Sequence, residues 1–115
     1  MKKIALFVFN GDPVCFIHVL LNGLDMNDKG MEGRIIVEGA ATALLPKLAE
    51  SGNPLHKLWE QAKSRGIVDG VCKGCAHKMG TVDEAVKQGL TLLDDMSGHP
   101  SMSRYIDDGY DVISF

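Results

Sequence analysis

The stretch Ile4-Ala5-Leu6-Phe7-Val8-Phe9 is an apolar run that ends at Asn10-Gly11-Asp12-Pro13. A short, continuous run of β-forming residues is typical of a strand that is covered on both faces. Asp12 can cap a helix, and Pro13 can occupy the first helical position. Together these features predict a buried strand followed by a helix that runs to about Asp28.

Strands and helices are predicted to alternate along the rest of the chain. We expect four more strands, at 34–38, 67–71, 90–93 and 110–115. Helical segments are predicted at 40–50 (kinked or split by Pro46), from Asn53-Pro54 to Gly66, from Thr81 to Gln88, and at 101–108. Thr81 and Glu84 have the spacing of a capping box, and Asp111 suggests that the last strand lies at an edge.

This alternation predicts an α/β fold. We expect three α/β/α layers with a five-stranded, mainly parallel sheet in the middle, in a flavodoxin-like layering. A length of 115 residues predicts one domain over 1–115.

Composition and charge exclude several classes of protein. The chain is 45% hydrophobic and 23% charged, which does not suit a disordered chain. No apolar run approaches the ~18–20 residues of a membrane span, and the first run has no signal-peptide cleavage site, so we expect a cytoplasmic protein. The net charge is −3, with both signs spread along the chain, and we expect no nucleic-acid partner.

Cys72-Lys73-Gly74-Cys75 is a C-x-x-C motif directly after the predicted third strand. Ligands of open α/β sheets bind at the carboxyl ends of the strands. The same edge should hold four more residues with useful chemistry: Asp12, Cys15, Glu38 and His99. An odd number of cysteines without a secretory signal favours thiol chemistry or metal binding over a disulfide framework.

The surroundings of the motif predict a thiolate. It lies where a strand passes into helical turns, so helix N-terminal amides should be near. Lys73, His77 and Lys78 can add positive charge. Gly74 leaves room for close approach of a ligand. Candidate substrate-binding residues are therefore Asp12, Lys73, Gly74 and Lys78.

Three elements of the chain resemble the DsrE/DsrF-like family of small cytoplasmic sulfur-relay proteins. They are Asn10–Pro13 after the first strand, Val71–Cys75, and the closing Gly109–Phe115. The resemblance implies the same three-layer fold and assembly as dimers, trimers or hexamers. It also implies that Cys72 holds sulfur as a persulfide. Cys75 departs from the family pattern and leaves open which thiol is loaded.

Our first hypothesis is a sulfur carrier or sulfurtransferase that needs no cofactor. In it, the Cys72 thiolate attacks a donor persulfide, and Cys75 or Cys15 resolves the product unless an acceptor protein takes the sulfur. His99 handles a proton, and the nearby lysines stabilise the anion. The partners implied are sulfur donor and acceptor proteins.

Three alternatives remain open. In the first, zinc or another soft metal is bound by Cys72, Cys75 and His77 together with Cys15 or His99. The second is a thiol-disulfide or peroxide reductase that uses the cysteine pair. The third is a ligand-binding or assembly domain whose thiols are incidental. In each case the apolar edge near Ile113 and Phe115 predicts a homo-oligomer.

Overall fold

The computed structural model describes every residue from Met1 to Phe115. Its strands form one sheet in the order β4-β3-β2-β1-β5, and every neighbouring pair is parallel. The strands are β1 (Lys3–Val8), β2 (Glu32–Val37), β3 (Val68–Cys72), β4 (Leu92–Leu93) and β5 (Asp111–Ser114). The predicted α/β class and the five strands are confirmed, and the sheet is wholly parallel.

Six α-helices and one 3-10 helix connect the strands. They are α1 (Pro13–Asp28), the 3-10 helix (Gly39–Leu44), α2 (Leu45–Leu48), α3 (His56–Ser64), α4 (Lys73–Met79), α5 (Val82–Lys87) and α6 (Met102–Asp107). None of the helices combines the length and the apolar character that a bilayer crossing requires.

The strand order explains how the helices are divided between the two faces of the sheet. From β1 to β4 each connection steps in the same direction, and right-handed crossovers then place all the helices on one face. The connection from β4 to β5 runs back across the whole sheet, so α6 lies on the opposite face. Three layers therefore form as predicted, but a single six-residue helix provides the third.

Each face has its own core. On the face covered by α1 to α5, a cluster of 20 buried residues includes Phe16 and Trp59, whose ring centroids are 5.9 Å apart. On the other face, Tyr105 of α6 packs edge-on against Phe7 with centroids 5.4 Å apart. Because β1 lies between these cores and between two strands, residues 5–8 are fully buried, as the apolar run predicts.

The start of α1 also agrees with the sequence. The Asp12 carboxylate accepts a hydrogen bond from the Val14 amide at 2.9 Å, and Pro13 follows in the first turn. This N-cap satisfies one of the amides that a helix start leaves free. The helix ends at Asp28, where it was predicted to end.

Other boundaries differ from the predictions for local reasons. The segment around Pro46 splits into the 3-10 helix and α2, as a proline inside a helical pattern requires. The Thr81 capping box is wrong, because the Thr81 hydroxyl donates to the Ala76 carbonyl and makes no cap. Asp111 does lie in an edge strand, since β5 pairs only with β1.

Candidate functional site

The two cysteines of the C-x-x-C motif meet at the junction of β3 and α4. Cys72 is the last residue of β3 and the N-cap of α4, and Cys75 lies in the first turn of that helix. The Cys75 amide donates a hydrogen bond to Cys72 Sγ at 3.3 Å. Neither cysteine forms a disulfide, Cys72 is fully buried, and Cys75 is half-buried. The motif thus offers one enclosed thiol and one accessible thiol.

His99 reaches both thiols from the loop between β4 and α6. Its Nδ1 atom lies 3.0 Å from Cys72 Sγ and 3.7 Å from Cys75 Sγ. The loop is held in place because the Gly74 amide donates to the Gly98 carbonyl at 2.8 Å. Met96 and His99 also exchange two backbone hydrogen bonds, of 2.7 and 2.9 Å. The histidine is therefore positioned by backbone contacts with the motif itself.

Gly74 leaves room for the loop that carries His99, whereas the sequence predicted that it leaves room for a ligand. A Cβ atom at this position would lie 2.9 Å from the Gly98 carbonyl oxygen and 3.0 Å from Cε1 of His99. Because Gly74 has no side chain, the loop that carries His99 can pack against the start of α4. Lys73 lies beside it and pairs with Asp94 at 3.5 Å, on the surface.

Glu38 completes the cluster, although the sequence pattern predicted only that it lies at this edge of the sheet and not that it joins the thiols. It follows β2 directly, and only 6% of its surface is exposed. One ligand atom each from Glu38, Cys72, Cys75 and His99 lies within 4.8 Å of the other three. The sequence feature that points to Glu38 is its position directly after a buried strand, at the same edge of the sheet as the cysteines.

Burial dominates the electrostatics of this cluster. It raises the pKa of the Cys72 thiol to about 12, and although the Cys75 amide opposes the shift, the Cys75 thiol and Glu38 add to it. Burial also raises the pKa of Glu38, against the effects of the Cys72 thiol and of His99. The expectation of an activated Cys72 thiolate is wrong, because desolvation outweighs the helix amides. Without a ligand, Cys72 is a protonated thiol at neutral pH.

The other candidate residues lie outside this cluster. Cys15 is half-buried in the first turn of α1, and the Asp12 carboxylate caps that helix. His77 and Lys78 are exposed in the last turn of α4. His77 follows Lys73 by four residues, so both project from one side of the helix. That side borders a separate surface cleft that also includes Val82 and Asp94.

A second cleft borders the cluster on the side of Glu38 and His99. It has a volume of about 440 Å³, and its walls include Glu38 and His99 together with Phe9 and Met102. The arrangement combines two thiols, an imidazole and a carboxylate at the carboxyl edge of the sheet, which suits thiol chemistry or coordination of a metal.

Comparisons with known proteins agree with this architecture. An uncharacterised protein of Methanocaldococcus jannaschii is 36% identical over 118 aligned residues, which cover 96% of this chain and 93% of the relative. An uncharacterised protein of Archaeoglobus fulgidus is 43% identical over 49 residues, or 43% of this chain and 80% of that protein.

A solved structure shares the fold. It is a conserved protein of unknown function from Bacteroides thetaiotaomicron, which superposes with a TM-score of 0.68 at 17% identity. The alignment covers 98% of this chain and 95% of that one. The model of the DsrE/DsrF-like family matches residues 3–115. The chain therefore belongs to the DsrE/DsrF-like family.

Proposed function

We propose that this protein carries sulfane sulfur on the Cys72–Cys75 pair, between a donor persulfide and an acceptor thiol. One observation carries the proposal: the Nδ1 atom of His99 lies 3.0 and 3.7 Å from the two Sγ atoms, within reach of a proton on either thiol. Membership of the DsrE/DsrF-like family supports sulfur relay as the class of function.

Burial favours Cys75 as the thiol that receives the sulfur. A protein donor must bring its persulfide into contact with the acceptor sulfur, and Cys72 has no exposed surface. Cys75 is half-buried in the first turn of α4, so part of its side chain is open to an incoming donor. This assignment reverses the order of attack in the first hypothesis and leaves Cys72 as the second thiol.

Sulfur uptake then needs one proton transfer and one displacement. Cys75 gives its proton to Nδ1 of His99, and the thiolate attacks the outer sulfur of the donor persulfide. A sulfur–sulfur bond forms on Cys75 as the donor's sulfur–sulfur bond breaks, and the donor leaves as a thiolate. The sulfane sulfur changes partner without net oxidation or reduction. Delivery to an acceptor thiolate is the same displacement in reverse.

Cys72 provides a second way to release the sulfur. If Cys72 gives its proton to Nδ1 of His99, 3.0 Å away, and attacks Cys75 Sγ, a Cys72–Cys75 disulfide forms and hydrosulfide leaves. A dithiol reductant must then reduce the disulfide before the next cycle. Such reductants keep thiols reduced in the cytoplasm, which is the compartment we propose together with donor and acceptor protein partners.

Uptake of radiolabelled sulfur from a persulfide donor tests the proposal. We expect Cys75→Ser to abolish uptake. Cys72→Ser should still take up sulfur and, without added reductant, hold it longer than the wild type, because it cannot form the disulfide that releases hydrosulfide. Cys15→Ser is the matched control, because it removes a half-buried thiol outside the cluster, and it should behave like the wild type. Uptake by Cys75→Ser at the wild-type level would overturn the assignment.

A further inference from the structure

We propose that Glu38, Cys72, Cys75 and His99 form a binding site for a zinc-class divalent cation, with Glu38 as the fourth ligand. This inference does not depend on sulfur transfer. It replaces the ligand set suggested by the sequence, because His77 and Cys15 lie outside the cluster and Glu38 lies within it.

The spacing of the donor atoms suits a tetrahedral ion. Zinc bonds of about 2.0–2.3 Å place tetrahedral ligand atoms roughly 3.3–3.8 Å apart. The four atoms lie within 4.8 Å of one another, and His99 Nδ1 is already 3.0 and 3.7 Å from the two sulfurs. Side-chain movements of about an ångström are therefore enough to close the shell.

The chemistry of the donors selects the class of ion. Two thiolate sulfurs and an imidazole nitrogen suit zinc and other soft or borderline ions, whereas Mg²⁺ and Ca²⁺ prefer shells made of oxygen. The Glu38 carboxylate is also an ordinary zinc ligand. One buried carboxylate, two cysteines and one histidine thus provide the four ligands of a tetrahedral zinc site.

The surroundings of Glu38 provide an independent argument. Glu38 is 6% exposed, and no lysine or arginine side chain forms a salt bridge with its carboxylate. Buried acidic side chains are rare unless they are paired with a cation or bound to a metal. A divalent ion between Glu38 and the thiols supplies that missing positive charge.

The backbone holds the four residues before any ion binds. Glu38 follows β2, Cys72 ends β3, and Cys75 lies on α4, so three are fixed by neighbouring regular elements. His99 is held by the hydrogen bond from Gly74 to Gly98 and by its paired bonds with Met96. Bound metal would occupy both thiols and so prevent them from accepting sulfur.

Zinc titration of the chelator-treated full chain, in competition with a chromophoric chelator, tests the site. We expect one Zn²⁺ per chain in the wild type. Loss of a residue that only hydrogen-bonds a metal ligand costs about 10–100-fold in affinity, so removal of a ligand itself in Glu38→Gln or His99→Gln should raise the Kd at least about tenfold. His77→Gln is the matched control and should leave the Kd unchanged.

A cobalt titration gives a second readout. Co²⁺ should produce a thiolate-to-metal charge-transfer absorption in the wild type and in His77→Gln. Far-UV circular dichroism shows whether each variant is folded, and Cys75→Ser replaces any variant that is not. No stoichiometric zinc binding by the wild type, or equal affinity in Glu38→Gln, His99→Gln and the wild type, would overturn the site.

Discussion

The Nδ1 atom of His99 lies 3.0 Å from the sulfur of Cys72, although 27 residues separate them in the chain. The contact joins a loop that follows β4 to the carboxyl end of β3. The backbone hydrogen bond from the Gly74 amide to the Gly98 carbonyl ties this loop to the start of α4. The proposed chemistry therefore depends on the close approach of this loop to the start of α4.

Gly74→Ala should disrupt that approach. The new Cβ would lie 2.9 Å from the Gly98 carbonyl oxygen, and an overpacked site of this kind costs about 1–3 kcal/mol. Alanine is a better helix former than glycine, so a lower free energy of unfolding would reflect the clash. Urea denaturation measures this loss, and sulfur uptake should fall with it because His99 is displaced.

Gly52→Ala is the control for that experiment, since a Cβ at Gly52 meets nothing within 4 Å. It should leave stability and uptake at or above the wild-type values. Equal stability and equal uptake in Gly74→Ala and in the wild type would show that the loop does not need the glycine.

Alkaline pH should destabilise the folded protein. Burial raises the pKa of Cys72 from 9.0 to about 12, so the folded state holds this proton more tightly than the unfolded chain does. The resulting stability is complete below pH 9 and is lost as the pH rises from 9 towards 12. Burial also raises the pKa of Tyr105, and that group acts in the same direction.

Urea midpoints of the metal-free protein between pH 7 and pH 11 measure this effect. Cys72→Ala should flatten the alkaline decline, and Tyr105→Phe should remove the tyrosine contribution separately. A decline that is as steep in Cys72→Ala as in the wild type would mean that the Cys72 pKa is not raised by folding.

Asp12 should matter for stability and not for sulfur uptake. Its carboxylate caps α1 through the Val14 amide, and loss of an N-cap costs about 0.5–2 kcal/mol. We expect this cost for Asp12→Ala and little for Asp12→Asn, because asparagine is an equally good cap. Thermal melts compare the two. A loss of uptake in the stable Asp12→Asn variant would restore Asp12 as a substrate-binding residue.

The edge strand β5 should mediate self-association. Ile113 is 43% exposed on this strand, which pairs on one side only, and exposed apolar edges are usually covered. Light scattering of the wild type should give a mass above the 12.5 kDa of one chain, and Ile113→Lys should reduce it. Val86→Lys changes an exposed apolar residue on α5 and should not. A 12.5 kDa particle at micromolar concentration contradicts this expectation.

Much of the architecture was predictable because it depends on local signals. The apolar run before Asp12-Pro13 determines a buried strand and a capped helix start, and both are confirmed. The position of Cys72 at a strand end follows from the same kind of pattern. Because the cysteine pair and His99 follow strands that end at the same sheet edge, their proximity could be expected. The contact between Nδ1 of His99 and both sulfurs could not.

The rest depends on tertiary packing. Burial of Glu38 arises from the segments that cover the end of β2, which no local pattern reveals. The high pKa of Cys72 has the same origin, since desolvation outweighs the nearby helix amides. His77 is excluded from the cluster by the rotation of α4, which turns it to the side that carries Lys73.

The central claim is that sulfur is carried on the cysteine pair. Its most direct test is the intact mass of metal-free protein after exposure to a persulfide donor, followed by peptide mapping. The account predicts an increment of one sulfur atom that survives denaturation, disappears with reductant and maps to the peptide that contains Cys72 and Cys75. A chain with neither an increment nor a Cys72–Cys75 disulfide, or an increment that maps to Cys15, would contradict it.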